Sequence, residues 1–313
     1  MAPPSRKIAF LFPGQGAQAK GVASAYREAF AGIAERFEQA ASITGIDVDL
    51  LTGDRAPDVA DATDIVQPAI FTLSTAIAAE LAAAGVRPAV AAGHSLGELS
   101  ALTAAGALSF EQGVALVALR GRLMREAGDR DPGTMSSVMG LDEAEIDAVL
   151  GDLNEAVWPA NLNGGGQIVI SGRVDAVARA GEALQSRGGA IRPLSVSGSF
   201  HTPLLAEAGE TFARAVTEIE VADPSYPVIS NITAEPLTTA ADIRAELAAH
   251  MTSRVRWGDS VEAMRDAGID TFVEVGPGKV LSGLAMRIDR NLRPHNTQSV
   301  AFFQRTLEQI GPE

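Results

Sequence analysis

Gly93-His94-Ser95-Leu96-Gly97 sets a serine between two glycines in the pattern G-x-S-x-G. A serine hydroxyl attacks carbonyl carbon only when a base removes its proton, and small flanking residues let a sharp strand-to-helix turn hold it in the open. Val90 to Ala92 reads as a short apolar strand that stops at Gly93, and Leu96 to Ala105 reads as a helix. The motif therefore has the neighbours it requires. The helix dipole and the backbone N–H after the serine favour negative charge where an oxyanion would develop. A chance glycine-rich turn has the same lettering, so a partner base has to be found.

The chain has no cysteine and four histidines, at positions 94, 201, 250 and 295. His94 adjoins Ser95 in the turn, where neighbouring side chains diverge. His295 lies in a polar stretch near the C-terminus, and His250 falls in a helical run (ADIRAELAAHM) where a surface or capping role is the plain expectation. His201 follows Ser197-Gly198-Ser199-Phe200 at the end of a strand and is left by elimination as the candidate base. A third titratable partner is not evident.

Arg120 stands out on separate grounds. Three and four residues away on a helix it meets Leu116, Val117, Leu123 and Met124, all apolar, whereas Arg122 and Arg125 fall beside Ala118, Glu126 and each other. An arginine on an apolar face needs an anionic partner, or its burial is costly. That partner is either a structural carboxylate or a bound anion, and a snorkelling side chain is a further reading.

These residues need a scaffold. Lys7 to Phe12 reads as a buried first strand ending at Pro13-Gly14-Gln15-Gly16, and Tyr26, Phe30, Ile33 and Phe37 recur at helical spacing. A helix is expected after Pro68, with the proline in its first turn, running to about Ala84, and another from Phe110 to Ala127. Strands and helices alternate, which implies an α/β fold with a largely parallel sheet. Between about 132 and 197 the order becomes β-α-β-β-α-β, with strands at Thr134 to Gly140, Ala156 to Leu162, Gln167 to Ser171 and Ala190 to Val196. That is the ferredoxin-like unit. It is expected as a small inserted subdomain in a larger α/β-hydrolase-like domain formed by 1–131 and 198–313. After it the α/β pattern resumes, up to a strand from Thr271 to Val275.

Bulk properties exclude several classes. With 313 residues, 46% of them hydrophobic and 20% charged, the chain is an ordinary globular one. A net charge of -14 argues against nucleic-acid binding. The absence of cysteine removes disulfides and thiolate metal sites and fits a reducing cytoplasm. The opening MAPPSRK has no signal-like apolar core, so secretion is not expected. The apolar stretch from Val86 to Leu119 is interrupted by His94, Glu98, Glu111 and several glycines, so no membrane span is expected there.

Taken together, several blocks resemble the malonyl-CoA:acyl-carrier-protein transacylases, a family that includes the acyltransferase domains of polyketide synthases. They are Phe12-Pro13-Gly14-Gln15-Gly16-Ala17-Gln18, Gln67-Pro68-Ala69, Gly93-His94-Ser95-Leu96-Gly97-Glu98, Arg120-Gly121, Ala160-Asn161-Leu162-Asn163 and Gln167-Ile168-Val169-Ile170-Ser171-Gly172. Phe200-His201-Thr202, Val255-Arg256-Trp257 and Glu274-Val275-Gly276-Pro277-Gly278 continue the series in consistent order over nearly the whole chain. Val228-Ile229-Ser230-Asn231 and the free-standing length also suggest a polyketide-pathway enzyme acting in trans.

The resemblance implies an acyl-serine at Ser95 with His201 as base, and an oxyanion hole from the N–H groups of Gln15 and Leu96. It implies that Arg120 binds the substrate's free carboxylate, that Gln67 lines the acyl pocket or starts a helix, and that Phe200 walls the pocket against α-branched acyl groups. A main-chain carbonyl at position 250, where the family often has glutamine and this chain has His250, would orient the base. The implied partners are malonyl-CoA and an acyl-carrier protein, with no metal or redox cofactor. An acidic enzyme facing a polyanionic thioester and an acidic carrier needs local basic residues; the candidates are Arg187, Arg192, Arg254, Arg256, Lys279, Arg287 and Arg290. The rival readings are a hydrolase that clears misloaded carriers, a transferase of another acyl group between carriers, and a docking scaffold with a dead site.

Overall fold

A computed structural model describes residues 6–18, 20–54 and 62–311. Ten strands occur among them: β1 (Ile8–Phe12), β2 (Val90–Gly93), β3 (Gly133–Met139), β4 (Val157–Gly164), β5 (Gln167–Arg173), β6 (Ala190–Pro193), β7 (Val228–Ile229), β8 (Pro236–Leu237), β9 (Thr271–Glu274) and β10 (His295–Asn296). They form two sheets. The larger has the order β10-β9-β1-β2-β7-β8, and every pairing in it is parallel except that of β7 with the edge strand β8. The smaller, β4-β5-β3-β6, is antiparallel throughout and carries the helices Glu143–Leu153 and Val174–Ser186. The expected α/β class, a parallel sheet with a ferredoxin-like antiparallel unit, is the fold observed.

All five residues of β1 are buried, as a central parallel strand covered on both faces requires. The helix Thr63–Ala83 is long and apolar enough to cross a membrane by composition, but 67% of its apolar window is buried inside this fold, which accounts for its character. It begins at Thr63, five residues before the proline that was expected in its first turn. Pro68 forgoes one hydrogen bond near the start of the helix, and the burial of Gln67, Ile70, Phe71 and Leu73 along the same helix outweighs that loss. The face carrying Tyr26, Ile33 and Phe37 is fully buried, but it belongs to two helices. Phe30 is extended (φ -135°, ψ 111°) between Val22–Ala29 and Ala31–Thr44. The two-residue strands β8 and β10 carry too little pattern to be read in advance.

Glycines set the approaches that build the site. A Cβ on Gly97 would lie 2.0 Å from the Phe12 oxygen, and one on Gly14 2.6 Å from the His94 oxygen, so the loop after β1 rests directly on the serine turn. A Cβ on Gly121 would meet the main chain of Thr63 and Asp64 at 2.8 Å, which brings the helices Thr63–Ala83 and Phe110–Arg130 together. The smaller sheet is tied in through Val255, whose N–H donates to the Ala160 oxygen and whose own oxygen accepts from Leu162 N–H, each at 2.8 Å.

Candidate active site

Ser95 sits between β2 and the helix Gly97–Ala104 with φ 54°, and His201 has φ 60°. A residue with a side chain rarely adopts such angles, which cost about 1–3 kcal/mol each and persist only where the surroundings over-determine them. Two strained residues 106 positions apart meet here: Ser95 Oγ lies 2.7 Å from His201 Nε2. On its other side, His201 Nδ1 lies 2.9 Å from the Ser253 carbonyl oxygen. A carbonyl oxygen only accepts, so Nδ1 carries the proton and Nε2 is left to accept from the serine hydroxyl. Burial, and after it the positive charge of Arg120, holds the His201 pKa well below the usual histidine value. The imidazole is therefore neutral and basic at neutral pH.

The carbonyl that orients His201 belongs to Ser253, not to His250, which corrects the expectation. His250 closes the helix Ala240–Ala249 in helical conformation (φ -55°, ψ -39°), so its carbonyl runs along the helix axis. Its ring is buried, 5.9 Å edge-on from that of His201. His250 Nε2 lies 3.2 Å from Glu98 Oε2, but the approach is not that of a hydrogen bond. Burial lowers the His250 pKa to about 3 and raises that of Glu98 to about 7, so the imidazole is neutral at neutral pH and the contact is not an ion pair. Glu246, on the same helix as His250, is raised too, by burial and by Glu98.

Arg120 is 1% exposed. Its Nη2 donates to Ser95 Oγ at 3.0 Å and its Nη1 to Gln67 Oε1 at 2.6 Å. Burial lowers its pKa to about 10, with Glu98 opposing the shift, so it stays charged at neutral pH. Among the described residues no carboxylate forms an ion pair with it. Gln67 lies inside its helix, and its Nε2 donates to Thr63 Oγ1 at 2.8 Å, which in turn donates to Gln15 Oε1 at 2.8 Å. One chain of hydrogen bonds thus runs from the loop after β1, through Gln15, Thr63, Gln67 and Arg120, to Ser95, His201 and Ser253. Among the described residues, the main-chain N–H groups of Gln15 and Leu96 donate to no other group.

Phe200 is buried, its ring folded over Gly198, where a Cβ would stand 2.3 Å from the ring. His94 turns from the serine: its Nε2 meets Asn163 Oδ1 at 2.8 Å, joining the serine turn to the small sheet. Beside them lies a cavity of about 230 Å³ lined by Gly14, Gln15, His94, Asn161, Asn163 and Leu281 among others. Of the basic candidates, Arg254 pairs with Glu143 and Arg256 with Asp259. Among the described residues no group of three or more His, Asp or Glu side chains is placed to hold a metal ion. Reading by residue type did not single out Ser253, whose contribution is a main-chain atom, or Asn231, whose amide meets Ser95 N–H at 2.7 Å.

The acyl transferase domain family matches residues 9–302. A malonyl CoA-acyl carrier protein transacylase of Bacillus subtilis is 39% identical over 292 residues, 92% of each chain. The solved structure of a malonyl CoA-acyl carrier protein transacylase from Coxiella burnetii superimposes with a TM-score of 0.93 at 35% identity, covering 98% of this chain and 99% of that one. A malonyl-transacylase solved in complex with its type II polyketide-synthase acyl-carrier protein gives 0.92 at 35% identity, over 97% and 99%. With the fold, the strained serine and its histidine already in place, this chain belongs to the acyl transferase domain family.

Proposed function

We propose that the chain transfers a malonyl-type group from coenzyme A to the phosphopantetheine thiol of an acyl-carrier protein through an acyl-serine at Ser95. The observation that carries this reading is Arg120, a buried guanidinium beside the serine hydroxyl with no carboxylate at ion-pair distance among the described residues, Glu98 acting on it only from further off. A planar fork at that point suits a carboxylate held bidentately, as the free end of a malonyl group would be.

His201 Nε2 takes the Ser95 proton as Oγ attacks the thioester carbonyl, and the N–H groups of Gln15 and Leu96 stabilise the oxyanion. The C–S bond breaks, and His201 returns the proton to the coenzyme A thiolate. In the second half-reaction His201 accepts the proton of the carrier's thiol, whose sulfur attacks the acyl-serine. The C–O bond breaks and Ser95 recovers its proton. Gln67 steadies Arg120, and Phe200 walls the acyl pocket. A cytoplasmic setting belongs to the same reading.

Intact mass after brief exposure to malonyl-CoA tests this directly. One malonyl group on wild type and none on Ser95→Ala is the expected result, and a retained adduct refutes it. Adding carrier protein should then discharge the adduct by transfer much faster than free malonate appears; the reverse order indicates a hydrolase.

A further inference from the structure

Asn231 takes no part in the steps above, yet its side chain holds the serine turn on both sides. Its Oδ1 accepts the Ser95 N–H at 2.7 Å, and its Nδ2 donates to the Gly93 oxygen at 2.6 Å. The same Nδ2 and the Asn231 main-chain N–H reach Glu98 Oε1 at 3.0 and 2.7 Å. The amide has one workable orientation, because Ser95 N–H can only donate and the Gly93 oxygen can only accept. Glu98 lies in the first turn of the helix that follows the serine, so the bonds close a ring around the turn. Asn231 is 3% exposed and Glu98 is fully buried, so both side chains of the ring are shielded from water.

The ring holds the strained residue itself. A Cβ on Gly93 would fall 1.9 Å from the Gly97 carbonyl carbon, so the glycines permit the turn to close. They do not select the orientation of the peptide between His94 and Ser95. Among the described residues only the Asn231 oxygen, two residues past β7, accepts from that N–H. A turn relaxed from φ 54° would swing Oγ away from His201 and rotate the Leu96 N–H with it. Catalytic groups lose their effect when displaced by fractions of an ångström.

The geometry points to Asn231 as a positioning residue for acyl transfer: an amide clamp that fixes Gly93 and Ser95 so that the hydroxyl meets His201. The inference rests on the acyl-serine reading above. The test measures the single-turnover rate of Ser95 malonylation by intact mass in the full chain, for wild type, Asn231→Ala and Asn231→Asp. Asn231→Ala should slow acylation by roughly 100-fold while the apparent affinity for malonyl-CoA changes by less than about threefold.

Asn231→Asp keeps the shape but sets an acceptor against the Gly93 oxygen and Glu98 Oε1. The introduced carboxyl would face Glu98 directly, with Glu246 and His250 behind it and Arg120 and His201 across the turn. When protonated it donates as the amide did, so the rate relative to wild type should climb as pH falls from about 8 to about 6. The Asn231→Ala ratio should stay level over that range. Acylation by Asn231→Ala within about fivefold of wild type, a loss confined to affinity, or a level Asn231→Asp ratio overturns the clamp. If Asn231→Ala does not fold, the Asn231→Asp profile decides alone. Failure of wild type to be malonylated defeats the acyl-serine reading instead, so the two failures are told apart.

Discussion

Arg120→Ala deletes a guanidinium that is 1% exposed, bonded to Gln67 and Ser95 Oγ, and without a carboxylate at ion-pair distance among the described residues. If malonyl supplies the missing anion, the variant loses a charge-assisted pair inside a desolvated pocket. Truncating one partner of such a pair costs about 2–5 kcal/mol, or roughly 30- to several-thousand-fold in kcat/KM for malonyl-CoA. Because the guanidinium also donates to the nucleophile, acetyl-CoA turnover is not untouched, and the informative quantity is a ratio. Acetyl has no carboxylate to lose, so the malonyl-to-acetyl ratio of kcat/KM should fall by most of that factor. Arg120→Lys keeps the charge without the planar fork and should fall between. The assay is steady-state transfer with each thioester, with melting temperature as control. A structural arginine predicts lowered stability with both substrates suffering alike. An unchanged ratio in a folded variant would refute the carboxylate assignment and remove the physical basis for a malonyl-type substrate.

Two further outcomes concern protons. The neutral His201 imidazole is the working form, and its pKa is held well below 6.5, so malonylation of Ser95 should keep its rate as pH falls through 6.5 and drop only at lower pH. In Arg120→Ala, assayed with acetyl-CoA, that acid limb should move upward because a positive neighbour is gone; a limb at or above 6.5 in wild type contradicts the assignment. Glu98 titrates at about 7 in the fold against an ordinary value of 4.5. Its protonated form is the one the buried site favours, so the stability it allows is fully present below about pH 4.5 and is lost as pH rises to about 7. Glu98→Gln should therefore lose less melting temperature than wild type between those values, and parallel curves would show that the carboxyl does not titrate there.

Much of the site was legible because its chemistry is carried by rare residue types in tight patterns. A serine between glycines after a buried strand admits few structures, and four histidines make elimination practicable. Arg120 showed itself by an apolar helical face, a conflict between local pattern and charge that marks function more often than packing. The parts that escaped have physical reasons. The carbonyl facing His201 comes from Ser253, four residues past the end of the helix Ala240–Ala249, and a main-chain oxygen has no residue identity to find. The start of the helix at Thr63 was hidden by Pro68, whose local preference was overridden by packing. The strands β8 and β10 are two residues each, below the length at which alternation can be seen.

The blocks that made the chain look familiar divide, once folded, into those that touch the reaction and those that hold the site's shape. Glu274 is fully buried and accepts from the N–H groups of Leu281 and Ser282 at 3.0 and 2.7 Å, so its motif anchors the start of the helix Val280–Ile288. Val255 pairs with β4 while the next residue, Arg256, donates to the Asn231 main-chain oxygen, so this segment links the small sheet to the stretch after β7, and Asn163 reaches back from the small sheet to His94, the residue before the nucleophile. Ser95 is thereby braced from β1 through the Gly14 contact, from β7 through Asn231, and from the small sheet through His94. Each brace comes from a different part of the chain: the Gly14 and His94 contacts place the serine turn, and Asn231 holds the strained Ser95 N–H within it. Motifs scattered from Phe12 to Gly278 therefore report one geometric requirement, a hydroxyl held in hydrogen-bond reach of a neutral imidazole, next to a buried guanidinium.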